Sequence, residues 1–476
     1  MPATRRLLAL LVAVVLACGA GRALLSSARI LRSPWSADYG EGCTLAMAQL
    51  LAQRGNYFPS LHDYPYLVSN YPPVFVGLVA LGESAFGPSL LVSRLLSFLS
   101  TLGLLAVLFP LLRRLCGDKW VALALTLLFL APWFVTTWAA LGRVDMLALL
   151  LSTAGLAVVE RRGTGPRAWL ALPLFWLAIF TKQTALTAPV AVLLDRLLAR
   201  DRRLPRVFLA WALPLVLGFG ALVVATRGGA WRHLVVYNAA AGYEWDRMAG
   251  SYAHLALIAG PLLLVVGVAL VVAPGATLAG AGRLFLIHLL LKLLGFATIA
   301  KQGAAQNYFI EPWVALLPAA AVALRALGER LPRSVAWRPA LLLVAAAVPT
   351  FAYPSLDRLP RALRRPERAT EFARLDELVR KARGPVLSEN LSVLVLNRRP
   401  VLVEPFGVLL LVKTGLLRPD RIVRDCEAEA FALVVTEHRL EQIPGLGECL
   451  ERRYQPVADL GRYEALEPRP RRAPGR

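Results

Sequence analysis

Between residues 7 and 353 the chain is a succession of apolar runs, many close to the ~20 residues an α-helix needs to cross the hydrocarbon core of a bilayer. So many runs cannot be buried in one water-soluble core. With 57% hydrophobic residues and a mean hydropathy of +0.56, the chain also has too little polar surface to enclose them. The fold class read from this is an α-helical polytopic membrane protein. The runs fall at 7–25, 90–112, 120–139, 146–159, 169–180, 185–198, 207–226, 254–273, 284–300, 309–327 and 337–353, which makes about eleven transmembrane helices. The first follows Arg5 and Arg6 and is read as a retained helix, not a cleaved signal, because its apolar character continues past Cys18.

The formal net charge of +22 raises nucleic acid as a partner, but the arginines punctuate the apolar runs and form no continuous basic groove. They read instead as topology signals facing anionic lipid, so the bilayer is the expected partner and nucleic acid is not. With the N-terminus inside, the cytoplasmic loops carry Arg113, Arg114 and Lys119; Arg161, Arg162 and Arg167; Arg196, Arg200, Arg202, Arg203 and Arg206; and Arg325, Arg330, Arg333 and Arg338. This holds only if the apolar piece 74–86 does not cross. Arg358, Arg361, Arg364, Arg365 and Arg368 then fall on the outer side, where long segments translocate largely regardless of charge.

The first outer loop, 26–89, is the richest in chemistry. Asp38 and Glu41 follow a membrane span directly, and their spacing puts both on one face if the segment is helical. Leu45, Met47, Ala48, Leu50, Leu51 and Ala52 give an apolar face until Gly55 and Asn56, predicting an amphipathic helix lying in the interface. The Tyr71-Pro72-Pro73 corner starts a second surface or re-entrant helix over 74–86, interrupted by Glu83. Further polar residues collect on the same side: Arg143 and Asp145; Lys182 and Gln183; Tyr237, Asn238, Tyr243 and Glu244; and Lys301, Gln302, Asn307, Tyr308 and Glu311. Carboxylates, lysines and tyrosines on one face suggest a shared cavity, against an alternative of solvated loops and snorkelling cations.

Past the membrane domain, 1–355, the composition becomes that of a small soluble α/β domain over 356–467, with β-rich runs at 385–388, 400–403 and 431–436 and a helix over 370–383. Residues 468–476 are a Pro/Arg tail, expected to be disordered. Cys426 and Cys449 either close a loop or remain two buried thiols. No metal-ligand spacing and no Gly-rich phosphate loop occurs, so no metal site and no cofactor is expected, a divalent cation beside the acids staying open.

With these residues in place, the chain resembles the GT-C membrane glycosyltransferases, specifically the glycosyltransferase family 39 group with the protein mannosyltransferases and the bacterial aminoarabinose-to-lipid-A transferases. The resemblance covers roughly 7–327. It is carried by Asp38 and Glu41, by Gly55-Asn56-Tyr57, by Tyr71-Pro72-Pro73, by Asp145, and by the Thr181-Lys182 and Lys301 edges. Two departures are visible: family members often carry adjacent acids where this chain has Asp38-Tyr39-Gly40-Glu41, and often a His or Lys where it has Tyr71.

The resemblance implies an integral enzyme of a bacterial inner membrane, with its C-terminal domain outside the cytoplasm. It would move a sugar from a polyprenyl-phosphate donor to a hydroxyl of a lipid, glycan or protein acceptor. A first-loop acid, Asp38 or Glu41, is then the base, with Asp145 assisting. Phosphate is a leaving group that needs no protonation, so one carboxylate and cations suffice, and Lys182, Lys301 and Arg94 are the candidates for the phosphate. Tyr71, Arg143, Tyr237, Asn238, Asn307 and Tyr308 are expected to line the substrate pocket. Two rivals are a transporter or lipid flippase, which would carry ionisable groups in mid-helix as His288 and Lys292 are, and an outer-face polysaccharide polymerase or ligase.

Overall fold

The computed structural model describes residues 3–163, 166–331, 337–351 and 366–470. Arg333, Arg358, Arg361, Arg364 and Arg365, the side chains of Arg167 and Arg368, the 355/356 boundary and the tail from 471 on lie outside the described residues. The chain divides into two compact units. One comprises Met1–Leu31, Leu95–Gly218 and Gly242–Leu359; the other comprises Arg32–Arg94, Phe219–Ala241 and Pro360–Arg476.

Among the described residues six helices are long and apolar enough to cross a membrane: Ala3–Arg32, Leu90–Cys116, Leu204–Ala225, Trp245–Val272, Ala281–Ala300 and Gln306–Arg330. Leu209, Leu213, Val216 and Leu217 of the third are exposed, a placement stable only against lipid. The last is enclosed by its neighbours, and its Ala319, Ala320, Ala321, Ala323 and Ala326 explain how, because small side chains let other helices approach closely. The chain is a multi-pass membrane protein.

The other five expected spans meet shorter helices. The run 120–139 is broken into Lys119–Leu128 and Trp133–Trp138, because Pro132 donates no hydrogen bond and disfavours helix at Ala131. The runs 169–180 and 185–198 become Ala171–Ile179 and Thr187–Leu198, separated by an extended Lys182 whose side chain is held in a buried cluster. Residues 146–159 lie in Asp145–Arg162, and 337–353 coincides with Trp337–Phe351 as far as it is described.

In the second unit the first-loop helix Tyr39–Arg54 corrects the expectation of an amphipathic interfacial helix. Nine of its residues from Glu41 to Leu50 are buried, all round the helix, because it is packed between Pro73–Phe86 and Leu391–Leu396. Gly42 permits the second contact: a Cβ there would lie 2.9 Å from the Ser392 nitrogen. Pro73–Phe86, 14 residues, is too short to span by length; it buries Phe75, Val76, Val79 and Ala80 and exposes Leu78, Leu81 and Phe86.

The same unit holds a four-stranded sheet, β1 (Val386–Ser388), β2 (Leu433–Thr436), β3 (Tyr454–Leu460) and β4 (Tyr463–Pro468), in the order β1-β2-β4-β3. β1 and β2 are parallel and the other pairs antiparallel. The β3–β4 hairpin, turning at the left-handed Gly461, was not anticipated from the sequence. The run 400–403 forms no strand, only a bridge from Val403 to Tyr66 that ties the first loop to this domain. The expected helix over 370–383 is Pro366–Lys381, and Cys426 and Cys449 are joined in a disulfide.

Candidate active site

Asp38 is the N-cap of the helix Tyr39–Arg54: its backbone is extended and its Oδ2 accepts from the Gly40 amide at 2.9 Å. Glu41 stands in the first turn, where the helix dipole favours a carboxylate. Asp38 is thus the N-cap and Glu41 the third residue of the helix, so the two acids stand at its start in different settings. Glu41 is fully buried in a bidentate pair with Arg94, Nε to Oε1 at 2.8 Å and Nη2 to Oε2 at 2.9 Å, and its Oε2 also accepts from the Ala37 amide at 2.7 Å. Arg94 donates in addition to the carbonyls of Ser33 and Trp35 at 2.6 and 2.7 Å. The sequence reading places Arg94 at a donor phosphate. Its side chain is instead sealed against Glu41 with no exposed surface, and the pair fixes the loop that presents Asp38. Asp38 itself is half-exposed.

Beside Asp38, Tyr39 donates its hydroxyl to buried Glu404, whose Oε2 accepts from the Gly407 amide at 2.8 Å. Burial raises the Glu404 carboxyl above its ordinary range, against the opposing pull of these hydrogen bonds. Burial likewise raises the Tyr39 phenol, with the Glu404 charge adding to it. Arg439 stacks over the Tyr39 ring at 4.9 Å. Sequence reasoning missed Glu404, which precedes Pro405 and caps the helix Pro405–Lys413. Of the other expected pocket residues in this unit, Tyr71 accepts the Tyr57 hydroxyl on its carbonyl at 2.9 Å, and Tyr237 packs edge-on against His233 at 5.0 Å. Asn238 bonds back to the Leu234 carbonyl at 3.5 Å.

The first unit gathers a separate ionic cluster. Lys182 Nζ lies 2.8 Å from Asp145 Oδ1 and 2.6 Å from Glu311 Oε1, and Lys292 Nζ lies 2.7 Å from Glu311 Oε2. Asn307 donates to Asp145 Oδ1 at 2.8 Å, Thr184 to Glu311 Oε1 at 2.6 Å, and Lys182 sits 5.4 Å from the centre of the Tyr308 ring. The pattern follows from helix polarity: Asp145 and Glu311 open helices at their positive ends and Lys292 lies in the last turn of Ala281–Gly295. Two lysines pair with the two carboxylates, which is what makes burial of these charges tolerable.

Lys182, expected at a phosphate, is thus bound to two acids, whereas Glu311 and Lys292 join the cluster without having been singled out as site residues. A signal for them existed, since ionisable residues within apolar runs are rarely idle. Arg143 exchanges backbone hydrogen bonds with the Ser97 hydroxyl at 3.0 and 3.3 Å, and half-buried Lys301 pairs its backbone with Tyr243. Among the described residues no three His, Cys, Asp or Glu side chains are grouped to hold a metal ion.

Solved structures share this architecture over nearly the whole chain. The crystal structure of ArnT from Cupriavidus metallidurans bound to undecaprenyl phosphate matches with a TM-score of 0.64 at 15% identity, covering 96% of this chain and 97% of that one. The chain has the GT-C fold. That fold extends to the Archaeoglobus fulgidus oligosaccharyltransferase complexed with Zn and sulfate, at a TM-score of 0.57 and 13% identity over 93% of this chain and 71% of that one. The archaeal oligosaccharyltransferase AglB from the same organism, in complex with an inhibitory peptide and a dolichol-phosphate, matches at 0.51 and 11% over 96% and 74%. No family model and no curated protein matches the sequence.

Proposed function

We propose that the protein is an integral-membrane glycosyltransferase that moves a sugar from a polyprenyl-phosphate donor to an acceptor hydroxyl, with Asp38 as the base. The observation that carries the assignment of the base is the unequal state of the two first-loop acids. Glu41 has both oxygens committed to Arg94 and the Ala37 amide and is fully buried, whereas Asp38 is half-exposed at a helix N-terminus. A base must reach its proton, and only Asp38 is reachable. Glu41 and Arg94 act as positioning residues that hold the loop. Arg94 and Lys182 are each bound to carboxylates, and a role at the donor phosphate is proposed for Lys301 on the resemblance alone. The lipid-linked donors are supported by neighbours of the same fold that were solved with undecaprenyl phosphate and dolichol-phosphate.

Asp145 keeps a supporting role through the cluster with Lys182. In this reading the reaction face and the sheet-bearing unit lie outside the cytoplasm of a bacterial inner membrane, and a reporter active only in the cytoplasm, fused after Pro400, is silent. The transporter reading gains the buried Lys292–Glu311 pair, and turnover separates the two.

The test is incubation of the purified chain in nanodiscs with a panel of polyprenyl-phosphate sugars, following sugar transfer and carrier release. Asp38→Asn is expected to slow transfer by ~10²–10⁴-fold with donor binding retained. Near-wild-type transfer in both Asp38→Asn and Glu41→Gln would remove the first loop from the catalytic centre.

A further inference from the structure

Within the sheet-bearing unit, away from Asp38, a cavity of about 430 Å³ opens between the first loop, the segment after Leu204–Ala225, and residues 415–424. Four arginines line it, Arg232, Arg418, Arg421 and Arg424, against one lining carboxylate, Asp420, with His62, Tyr66 and Tyr237 among the other lining residues. Arg421 is already engaged: it pairs with Asp63 and Asp425 and stacks over Tyr64 at 4.8 Å. Arg232, Arg418 and Arg424 are exposed and form no ion pair among the described residues. Like charges converging on one cavity repel, and an arrangement that keeps them there is stable when an anion sits among them.

The placement is built into the fold. Arg421 and Arg424 ride three apart on the helix Asp420–Glu427, whose opposite face, Ile422 and Cys426, is fully buried and fastened by the disulfide to Cys449. Arg232 begins the π-helical turn Arg232–Tyr237, seven residues along the chain from Ala225, the end of a helix long and apolar enough to cross a membrane.

We propose that this cavity binds a phosphate ester, with Arg232, Arg418 and Arg424 around the phosphate and the remaining volume taken by the group it is attached to. Guanidinium groups match phosphate oxygens in geometry, and a phosphomonoester brings enough charge and enough acceptor oxygens to satisfy several at once, where a single carboxylate does not. The closeness of Arg232 along the chain to a helix of membrane-crossing length favours an ester borne by a membrane amphiphile. The assignment stands on the cavity alone and does not depend on the glycosyl-transfer reading.

The test is native mass spectrometry of the full chain in detergent, titrated with phosphatidic acid, with diacylglycerol, and with glycerol 3-phosphate. Arg418→Gln with Arg424→Gln changes two exposed side chains that form no ion pair among the described residues, and Arg380→Gln with Arg383→Gln removes equal charge elsewhere in the unit. Phosphatidic acid is expected to bind in preference to diacylglycerol, to lose at least ~10-fold in affinity in the first double variant, and to keep its affinity in the second. Arginine-dependent binding of glycerol 3-phosphate at comparable affinity assigns the site to a soluble ester. Equal losses in both double variants, no loss in the first, or no binding of either phosphate ester to the wild-type chain overturns the proposal.

Discussion

Acidification should loosen the sheet-bearing unit at His233, by an amount that follows from how the imidazole is held. The side chain is fully buried, between the Phe58 and Tyr237 rings. Its Nδ1 accepts the Ser69 amide at 3.0 Å, so the ring proton is on Nε2, which donates to the Pro59 carbonyl at 2.8 Å. A second proton would turn Nδ1 into a donor facing another donor. Burial accordingly lowers the His233 pKa from 6.5 to about 4.

The folded state therefore keeps His233 neutral while the opened state takes a proton. Stability is complete above 6.5 and is lost as pH falls toward 4. Between pH 7 and pH 5 the loss is about 2 kcal/mol, and over the whole window about 3 kcal/mol. Amide hydrogen exchange over residues 57–70, corrected for its intrinsic pH dependence, should show protection falling roughly 30-fold between those two pH values. In His233→Gln, which cannot titrate, that fall should vanish. An equal fall in the variant, or none in the wild type, would refute the reasoning.

Lys182→Met leaves Asp145 and Glu311 buried without the cation that bridges them and should cost ~3–5 kcal/mol, read as a large drop in the melting temperature by tryptophan fluorescence in detergent. Gly42→Ala places a Cβ 2.9 Å from the Ser392 nitrogen, a backbone atom that cannot swing aside, and should destabilise by ~1–3 kcal/mol. Gly77→Ala, in open space on the helix Pro73–Phe86, should instead stabilise by ~0.5–1 kcal/mol in the same unfolding assay. Replacing Cys426 and Cys449 by Ser opens a loop of sequence separation 23 and should remove ~3 kcal/mol, measured as faster proteolysis of the sheet-bearing unit.

The sequence by itself determined the membrane class and six of the eleven expected spans, because a long apolar run is a local fact that acts on the backbone wherever the segment lies. It also showed the end of the first-loop helix at Gly55, since a left-handed glycine stops a helix within a residue or two. Local reasoning stopped at partners. That Glu41 closes on Arg94, or that Lys182 and Lys292 converge on Glu311, depends on how distant segments pack, and spacing along the chain carries no record of it. The same limit applies to Tyr39–Arg54: its apolar residues could face lipid or protein equally well by composition, and only the helices packed around it decided for protein. Burial then set the chemistry, leaving Asp38 reachable and sealing Glu41, because a charge enclosed by the fold is stable only with its partner in place.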